Sequence, residues 1–152
     1  MVISPHLKKE RIILDLKSKE RDDAIREMME VMKGSPEIID FEGFIKDVIE
    51  RENLHTTGVG DGIALPHSRS KNVKDFFLIF GRSKEGIDFK AIDGKPVYLI
   101  FLMGSPQEAL DVYLKVLAHI NRFIGRNEEL KKKLLEAETK EEIIEIIKSK
   151  EL

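Results

Sequence analysis

Hydrophobic residues recur at helical spacing in the N-terminal third of the chain. Two successive stripes predict two helices, each of which buries one face. Gly34 follows the first stripe and suits a helix C-cap, while Asp40 precedes the second stripe and can act as its N-cap. The predicted buried positions are Ala24, Ile25, Met28, Met29 and Met32 in the first helix, and Phe44, Ile45, Val48 and Ile49 in the second.

The C-terminal part predicts three more helices, each with a start signal. The segments from Ser105 to Glu108 and from Thr139 to Glu142 have the capping-box pattern, in which a hydroxyl and a carboxylate satisfy free amides at a helix start. Asn127 can cap a shorter helix between them. The predicted apolar faces contain Leu110, Tyr113, Leu114, Leu117, Ile120 and Phe123 or Ile124, then Leu130, Leu134 and Leu135, then Ile143, Ile144, Ile146 and Ile147.

The middle of the chain carries continuous apolar runs, which predict buried strands. The runs from Val97 to Met103 and from Phe76 to Phe80 combine aromatic and aliphatic residues without a charge. Shorter strands are predicted for Arg11 to Leu16, for Ile63 to Leu65 and, at an edge, for Ile87 to Phe89. The order of helices, strands and helices predicts a mixed α/β layer fold, in which one sheet has helices packed on it.

Composition narrows the class of protein. The 152 residues suit a single domain over residues 1–152, and the net charge of -2 argues against a general nucleic-acid binder. The absence of cysteine excludes disulfides and thiolate chemistry. The longest apolar run is far shorter than the about 20 residues of a membrane-spanning helix, and no signal-peptide pattern opens the chain. We therefore expect a cytoplasmic protein without membrane insertion.

His67 has the setting of a reactive histidine. It follows a short apolar strand and Pro66, in a segment that also holds three glycines at alternate positions. A neutral imidazole can act as a nucleophile, and a phosphoryl group on it would need amide, hydroxyl and cationic donors nearby. Thr57, Ser68 and Arg69 are the predicted binding residues of this kind. The alternative interpretation is an unreactive histidine in a polar loop.

Three other kinds of site fit this region poorly. A dinucleotide-binding loop follows a strand and opens a helix, whereas these glycines lead into a strand and a proline. A zinc site is not predicted, because His55 and His67 lie twelve positions apart with no carboxylate partner. The Gly-x-Ser-x-Gly pattern of a serine hydrolase is absent. We therefore expect neither a metal nor a cofactor.

The stretch from Arg51 to Arg69 closely resembles a known active-site motif. Its core, Gly62-Ile-Ala-Leu-Pro-His67, resembles that of the enzyme IIA domains of the bacterial phosphoenolpyruvate:sugar phosphotransferase system. The matching class is the fructose/mannitol type, which includes the nitrogen-regulatory IIA protein. The second block of that family is resembled by Ile87 to Phe89 followed by Asp93 to Leu102, and the third block by Leu114 to Arg122. Together the similar segments extend from about Leu14 to about Ile147.

The resemblance implies a fold, an activity and partners. The fold would be a single mixed β-sheet flanked by helices on both sides. His67 would accept a phosphoryl group from the carrier protein HPr, with Arg51 nearby, and would pass it to a IIB domain in a sugar-transporting member. In a regulatory member the phosphorylation state would select protein partners, and both alternatives stay open. HPr would dock on an exposed patch around His67 that includes Val59 and Ile63.

One position departs from the family pattern. The family usually has a second histidine near the start of the helix in its third block, where this chain has Tyr113. A tyrosine hydroxyl can donate a hydrogen bond to a phosphoryl oxygen, but it carries no positive charge near neutrality. The alternative is that Tyr113 belongs to the apolar face of its helix. His55 is expected at the rim of the site.

Overall fold

A mixed β-sheet lies between two layers of helices in this computed structural model, which describes residues 2–151. Within those residues, six strands and five α-helices confirm the predicted mixed α/β class and the single sheet with helices on both sides. The strands are β1 (Ile12–Ile13), β2 (Gly58–Gly60), β3 (Ile63–Ala64), β4 (His67–Arg69), β5 (Phe77–Ile87) and β6 (Val97–Ser105). The helices are α1 (Arg21–Met29), α2 (Phe41–Leu54), α3 (Leu110–His119), α4 (Glu128–Glu136) and α5 (Lys140–Lys150), and a π-helical segment (Ile120–Ile124) continues α3.

The two long strands form the centre of the sheet and the short strands lie beside them. β5 and β6 are antiparallel, β1 pairs parallel with β5, and β3 pairs parallel with β6 and antiparallel with β2. β4 also pairs parallel with β6, beyond β3, with His67 opposite Met103 and Arg69 opposite Ser105. Because β3 and β4 share one side of β6, the edge that they form carries the sequence around His67.

Alternation of side chains along β6 divides the core into two parts. Leu99, Phe101 and Met103 belong to the part that includes residues of α3, α4 and α5. Ile100 and Leu102 belong to the part that includes residues of α1 and α2. Such burial on both faces is expected of a strand between two helical layers. His67 pairs with Met103 and therefore lies on the same side of the sheet as α3.

Most predicted helix starts are confirmed, and one is wrong. The side chains of Asp40, Asn127 and Thr139 each accept a hydrogen bond from a backbone N–H in the first turn of α2, α4 and α5, at 3.0, 3.0 and 3.1 Å. Ser105 forms no capping box, because it is still paired with Arg69 in the sheet and α3 begins only at Leu110. None of the helices within residues 2–151 is long and apolar enough to cross a membrane.

The strand predictions hold for the long runs and fail for some short ones. The predicted edge strand from Ile87 to Phe89 is wrong, because β5 continues through a register shift to Ile87. The glycine-rich segment forms strand β2, and the segment after Pro66 forms strand β4, neither of which was predicted. Within the run from Arg11 to Leu16, only Ile12–Ile13 forms a strand.

Candidate active site

His67 lies at the start of β4 with its imidazole almost fully buried. The side chain is 6% exposed, and its Nδ1 atom lies 2.5 Å from the carbonyl oxygen of Leu65. The backbone around it is anchored twice, because Leu65 N donates to the carbonyl oxygen of Thr57 and Met103 N donates to that of Pro66. The imidazole is therefore held by backbone that is itself part of the sheet.

This geometry selects one tautomer of His67. A carbonyl oxygen only accepts, so Nδ1 must carry the proton and Nε2 must carry the free lone pair. Within residues 2–151, every fully buried side-chain nitrogen or oxygen has a hydrogen-bond partner. Nε2 of His67 has none among these residues, so it is not fully buried. Nε2 is therefore open to the surface. Burial lowers the pKa of His67, the positive charge of Arg51 lowers it further, and the Leu65 carbonyl opposes both. His67 thus has a neutral imidazole with one accessible nitrogen, a form that can act as a nucleophile.

Arg51 lies in the last turn of α2 and faces the same site. One of its terminal nitrogens donates a 2.8 Å hydrogen bond to the carbonyl oxygen of His55, the residue that ends the helix. Its charge acts on the pKa of both His67 and Tyr113. The bond to His55 occupies only one terminal nitrogen, and a guanidinium carries further N–H donors. Arg51 can therefore hold the backbone and still donate toward His67.

Glu52 is a buried residue of this region that the sequence prediction missed. It is 2% exposed, and its carboxylate accepts hydrogen bonds from both the N–H and the hydroxyl of Thr57. Burial raises the pKa of Glu52, while the hydrogen bonds from Thr57 lower it. Both donors of Thr57 are thus engaged, and this residue supports the loop before β2. The available signal was position, since Glu52 falls on the buried stripe of α2, where an unpaired charge is rare.

Tyr113, on α3, packs its ring against two residues of β4. Its ring lies edge-to-face against the imidazole of His67, with centroids 5.3 Å apart and planes at 64°. The guanidinium carbon of Arg69 lies 5.6 Å from the centroid of the same ring. Burial raises the pKa of Tyr113, and the charges of Arg51 and Arg69 lower it. The ring, rather than the hydroxyl, makes the contacts of this residue.

Two clefts meet at Arg51. One, of about 300 Å³, is lined by Arg51, His55, Thr56, Thr57, Val59, Leu65, His67, Ile92, Leu117 and Asn121. The other, of about 330 Å³, is lined by Asp47, Glu50, Arg51, Leu54, Ser68, Arg69, Ser70, Lys71 and Gln107. Six of the seven predicted site residues line these clefts, with Ser68 in the second cleft and His55 exposed at the rim. Tyr113 lines neither cleft and joins the site through its contacts with His67 and Arg69. Val59 is exposed as expected, whereas the expectation for Ile63 is wrong, because this side chain fills the core beneath α3 to α5.

Comparisons with known proteins agree with this fold. The family model described as "Phosphoenolpyruvate-dependent sugar phosphotransferase system, EIIA 2" matches residues 5–150. A fructose-specific EIIABC component from Bacillus subtilis is 36% identical over 147 residues, which are 97% of this chain. The chain spans only 23% of the length of that relative.

Two solved structures show how far the similarity of fold extends. The crystal structure of the nitrogen regulatory protein IIA-Ntr from Neisseria meningitidis has a TM-score of 0.87 and 28% identity, and the match covers 97% of this chain and 99% of that one. The enzyme IIA of the mannitol system from Escherichia coli, solved in complex with phosphorylated enzyme IIB, has a TM-score of 0.80 and 20% identity over 94% of this chain and 97% of that one. At that identity the second match shows the fold alone.

The IIA domains of the phosphotransferase system are phosphocarriers that carry a phosphohistidine. Sugar-specific and nitrogen-regulatory proteins both occur among the relatives. Since the family model matches nearly the whole chain, this protein belongs to the EIIA type 2 family of the phosphoenolpyruvate-dependent sugar phosphotransferase system.

Proposed function

We propose that this chain is a phosphocarrier that accepts a phosphoryl group from HPr on Nε2 of His67 and passes it to a IIB component. The observation that carries the proposal is the contact between Nδ1 of His67 and the Leu65 carbonyl, because it leaves the lone pair of Nε2 free at the surface of a cleft. Since burial lowers the pKa of His67, the lone pair is available at neutral pH. A phosphocarrier supplied from phosphoenolpyruvate acts in the cytoplasm, which is the proposed location.

The transfer moves one phosphoryl group between two nucleophiles. The lone pair of Nε2 forms a bond to phosphorus while the bond between phosphorus and the donor breaks, and its electron pair returns to the donor. Nδ1 stays protonated throughout and keeps its hydrogen bond to the Leu65 carbonyl. Passing the group on reverses these steps, with a nucleophile of IIB attacking phosphorus and the electron pair returning to Nε2. Arg51 is placed to stabilise the negative charge of the phosphoryl oxygens during both steps.

The choice of IIB as acceptor draws on the mannitol IIA of E. coli, whose structure was solved with phosphorylated IIB. HPr is proposed as donor from membership of the family. Both partners would need to reach Nε2 through the cleft of about 300 Å³, where the exposed side chains of Val59 and Ile92 flank His67. One cleft can serve both partners, because a carrier must release the first before it meets the second.

Labelling by the complete relay tests the proposal. The protein is incubated with labelled phosphoenolpyruvate, enzyme I and HPr, and acid-labile label is measured on the wild type and on His67→Ala. The wild type should be labelled and His67→Ala should not, whereas His119→Ala, on the far end of α3, should behave as the wild type. Label that persists on His67→Ala would show that another residue is the acceptor.

A regulatory role is the second candidate, favoured by the similarity to the nitrogen regulatory IIA-Ntr protein. Both roles require phosphorylation of His67, so the labelling experiment does not separate them. They differ in the next step, since a transport component transfers its label to a IIB domain. Label that stays on His67 in the presence of each IIB domain from the same organism would favour the regulatory role.

A further inference from the structure

Three side chains converge where β4 passes α3. His67 and Arg69 lie two positions apart in β4, so both side chains leave the strand on the same side. The ring of Tyr113 contacts the imidazole of His67 edge-to-face and lies under the guanidinium of Arg69, with centroid distances of 5.3 and 5.6 Å. One aromatic ring therefore fixes the position of a cation relative to the nucleophile.

The charge of Arg69 is not neutralised by the residues around it. Among residues 2–151, no carboxylate lies within ion-pair distance of Arg69, and its guanidinium makes no hydrogen bond. Arg51 differs, because one of its nitrogens is bound to the His55 carbonyl. The hydroxyl of Tyr113 also makes no hydrogen bond among the described residues, so Tyr113 acts on Arg69 through its ring.

We propose that Arg69 is a second cationic binding residue for the phosphoryl group on His67, alongside Arg51, and that Tyr113 is a positioning residue that orients Arg69 through its ring. This inference rests on the proposed phosphorylation of His67. A phosphoryl group carries up to about two negative charges at neutral pH, more than one guanidinium balances. Both guanidiniums already act on the Tyr113 ring beside His67, because their charges lower its pKa. An arginine stays charged at all physiological pH values, so its contribution is independent of pH.

The equilibrium distribution of phosphoryl groups between HPr and this protein tests the inference most directly. That equilibrium depends on the phosphorylated and free forms of each protein, and not on how the two proteins dock. A residue that binds the phosphoryl group shifts the equilibrium, whereas a residue that only contacts HPr changes the rate alone. The measured ratio is the equilibrium constant of the exchange: phosphorylated over free protein for this chain, divided by phosphorylated over free HPr, after equilibration with a limited amount of phosphorylated HPr.

Matched variants separate charge, ring and hydroxyl. Arg69→Ala should lower the ratio by about tenfold. This effect is smaller than that of removing a buried donor, because Arg69 is exposed and salt partly screens its charge. Arg69→Lys should restore most of that loss. Tyr113→Phe keeps the ring and should match the wild type, whereas Tyr113→Leu should lower the ratio by about two- to fivefold, the worth of an exposed cation–π contact. Lys74→Ala removes an equal charge from an exposed position outside both clefts and should leave the ratio unchanged.

Failure of this inference is distinct from failure of the proposed function. An Arg69→Ala ratio equal to that of Lys74→Ala, even with slower transfer, would overturn the role of Arg69, and a Tyr113→Leu ratio equal to the wild type would overturn the positioning role. If HPr does not label the wild type, the proposed function fails. The inference can then still be tested, because phosphoramidate can be used to phosphorylate His67 chemically. The ³¹P resonance should then move in Arg69→Ala and not in Lys74→Ala, and an unmoved resonance would equally overturn the inference.

Discussion

The carbonyl oxygen of Leu65 lies 2.5 Å from Nδ1 of His67, two residues further along the chain. Because Pro66 stands between them and has no N–H, its only backbone hydrogen-bonding group is its carbonyl, which accepts from Met103 N. The three residues thus hold the imidazole against the sheet with Nδ1 inward. The folded backbone of Leu65, Pro66 and His67 therefore determines which ring nitrogen is presented to a partner.

A pH titration tests this assignment of a neutral imidazole. Burial lowers the pKa of His67, so we expect phosphoryl acceptance to stay constant as the pH falls through about 6.5, the ordinary value for histidine. Below about 6.5 the unfolded chain takes up a proton that the folded chain does not, so His67 should reduce the free energy of unfolding as the pH falls. NMR titration of the ring in the folded and the urea-unfolded protein measures both pKa values. A folded value at or above the unfolded one would contradict the assignment.

Removing Arg51 should separate transfer from folding. Arg51→Ala should slow phosphoryl acceptance by roughly ten- to a thousandfold, as loss of a charge-stabilising donor does. It also removes the hydrogen bond to the His55 carbonyl at the end of α2, which should cost about 1 kcal/mol of unfolding free energy. Arg26→Ala is the matched control, because the side chain of Arg26 is 51% exposed and lies outside both clefts. A normal transfer rate in Arg51→Ala would show that Arg51 only caps the helix.

The effects of variants at Glu52 and Thr57 on the free energy of unfolding should depend on each other. Glu52→Gln replaces one acceptor oxygen by a donor, so one of the two donors of Thr57 loses its partner in a buried place. We expect a loss of about 1–3 kcal/mol of unfolding free energy, measured by urea denaturation. Thr57→Val removes the hydroxyl that needs an acceptor, so the double variant should be more stable than the sum of the two single effects predicts. Strictly additive effects would contradict a direct interaction.

The sequence predicted the parts of this protein that have strong local signals. Caps such as Asp40 and Asn127 depend only on the residue and its near neighbours. Strand β6 is buried on both faces, so it appears in the sequence as a continuous apolar run. The start of α3 was missed because Ser105 is held in the sheet by Arg69, which is far away in sequence. No local pattern contains that pairing.

The site shows the same division. The position of His67 followed from the motif around it, but its tautomer depends on a backbone carbonyl whose direction no residue type encodes. The contact of Arg69 with Tyr113 joins a strand to a helix more than forty positions later, so it required the fold. The position of Glu52 on the buried stripe of α2 could have indicated burial, but only the place of Thr57 beside it reveals its role.

The surface around His67 has the features of a weak docking site. Val59 and Ile92 are 46% and 67% exposed, and both line the cleft that contains His67. Leu54, 84% exposed, lies in the neighbouring cleft beside Arg51. Exposed apolar side chains that surround a polar centre are typical of an interaction surface. A carrier must release its partner after each transfer, so we expect an interface below about 1,200 Å² in total.

A charge placed in this surface should weaken binding of HPr without affecting the chemistry. Val59→Asp should raise the half-saturating concentration of HPr by about tenfold, as loss of a central apolar contact does, and should leave the maximal rate within about twofold of the wild type. Ile39→Asp is the matched control, because Ile39 is 66% exposed and lines neither cleft. Steady-state labelling at increasing HPr concentration measures both constants. An equal effect of the two variants, or NMR shifts on HPr addition that centre on α5 instead of His67, would place the docking site elsewhere.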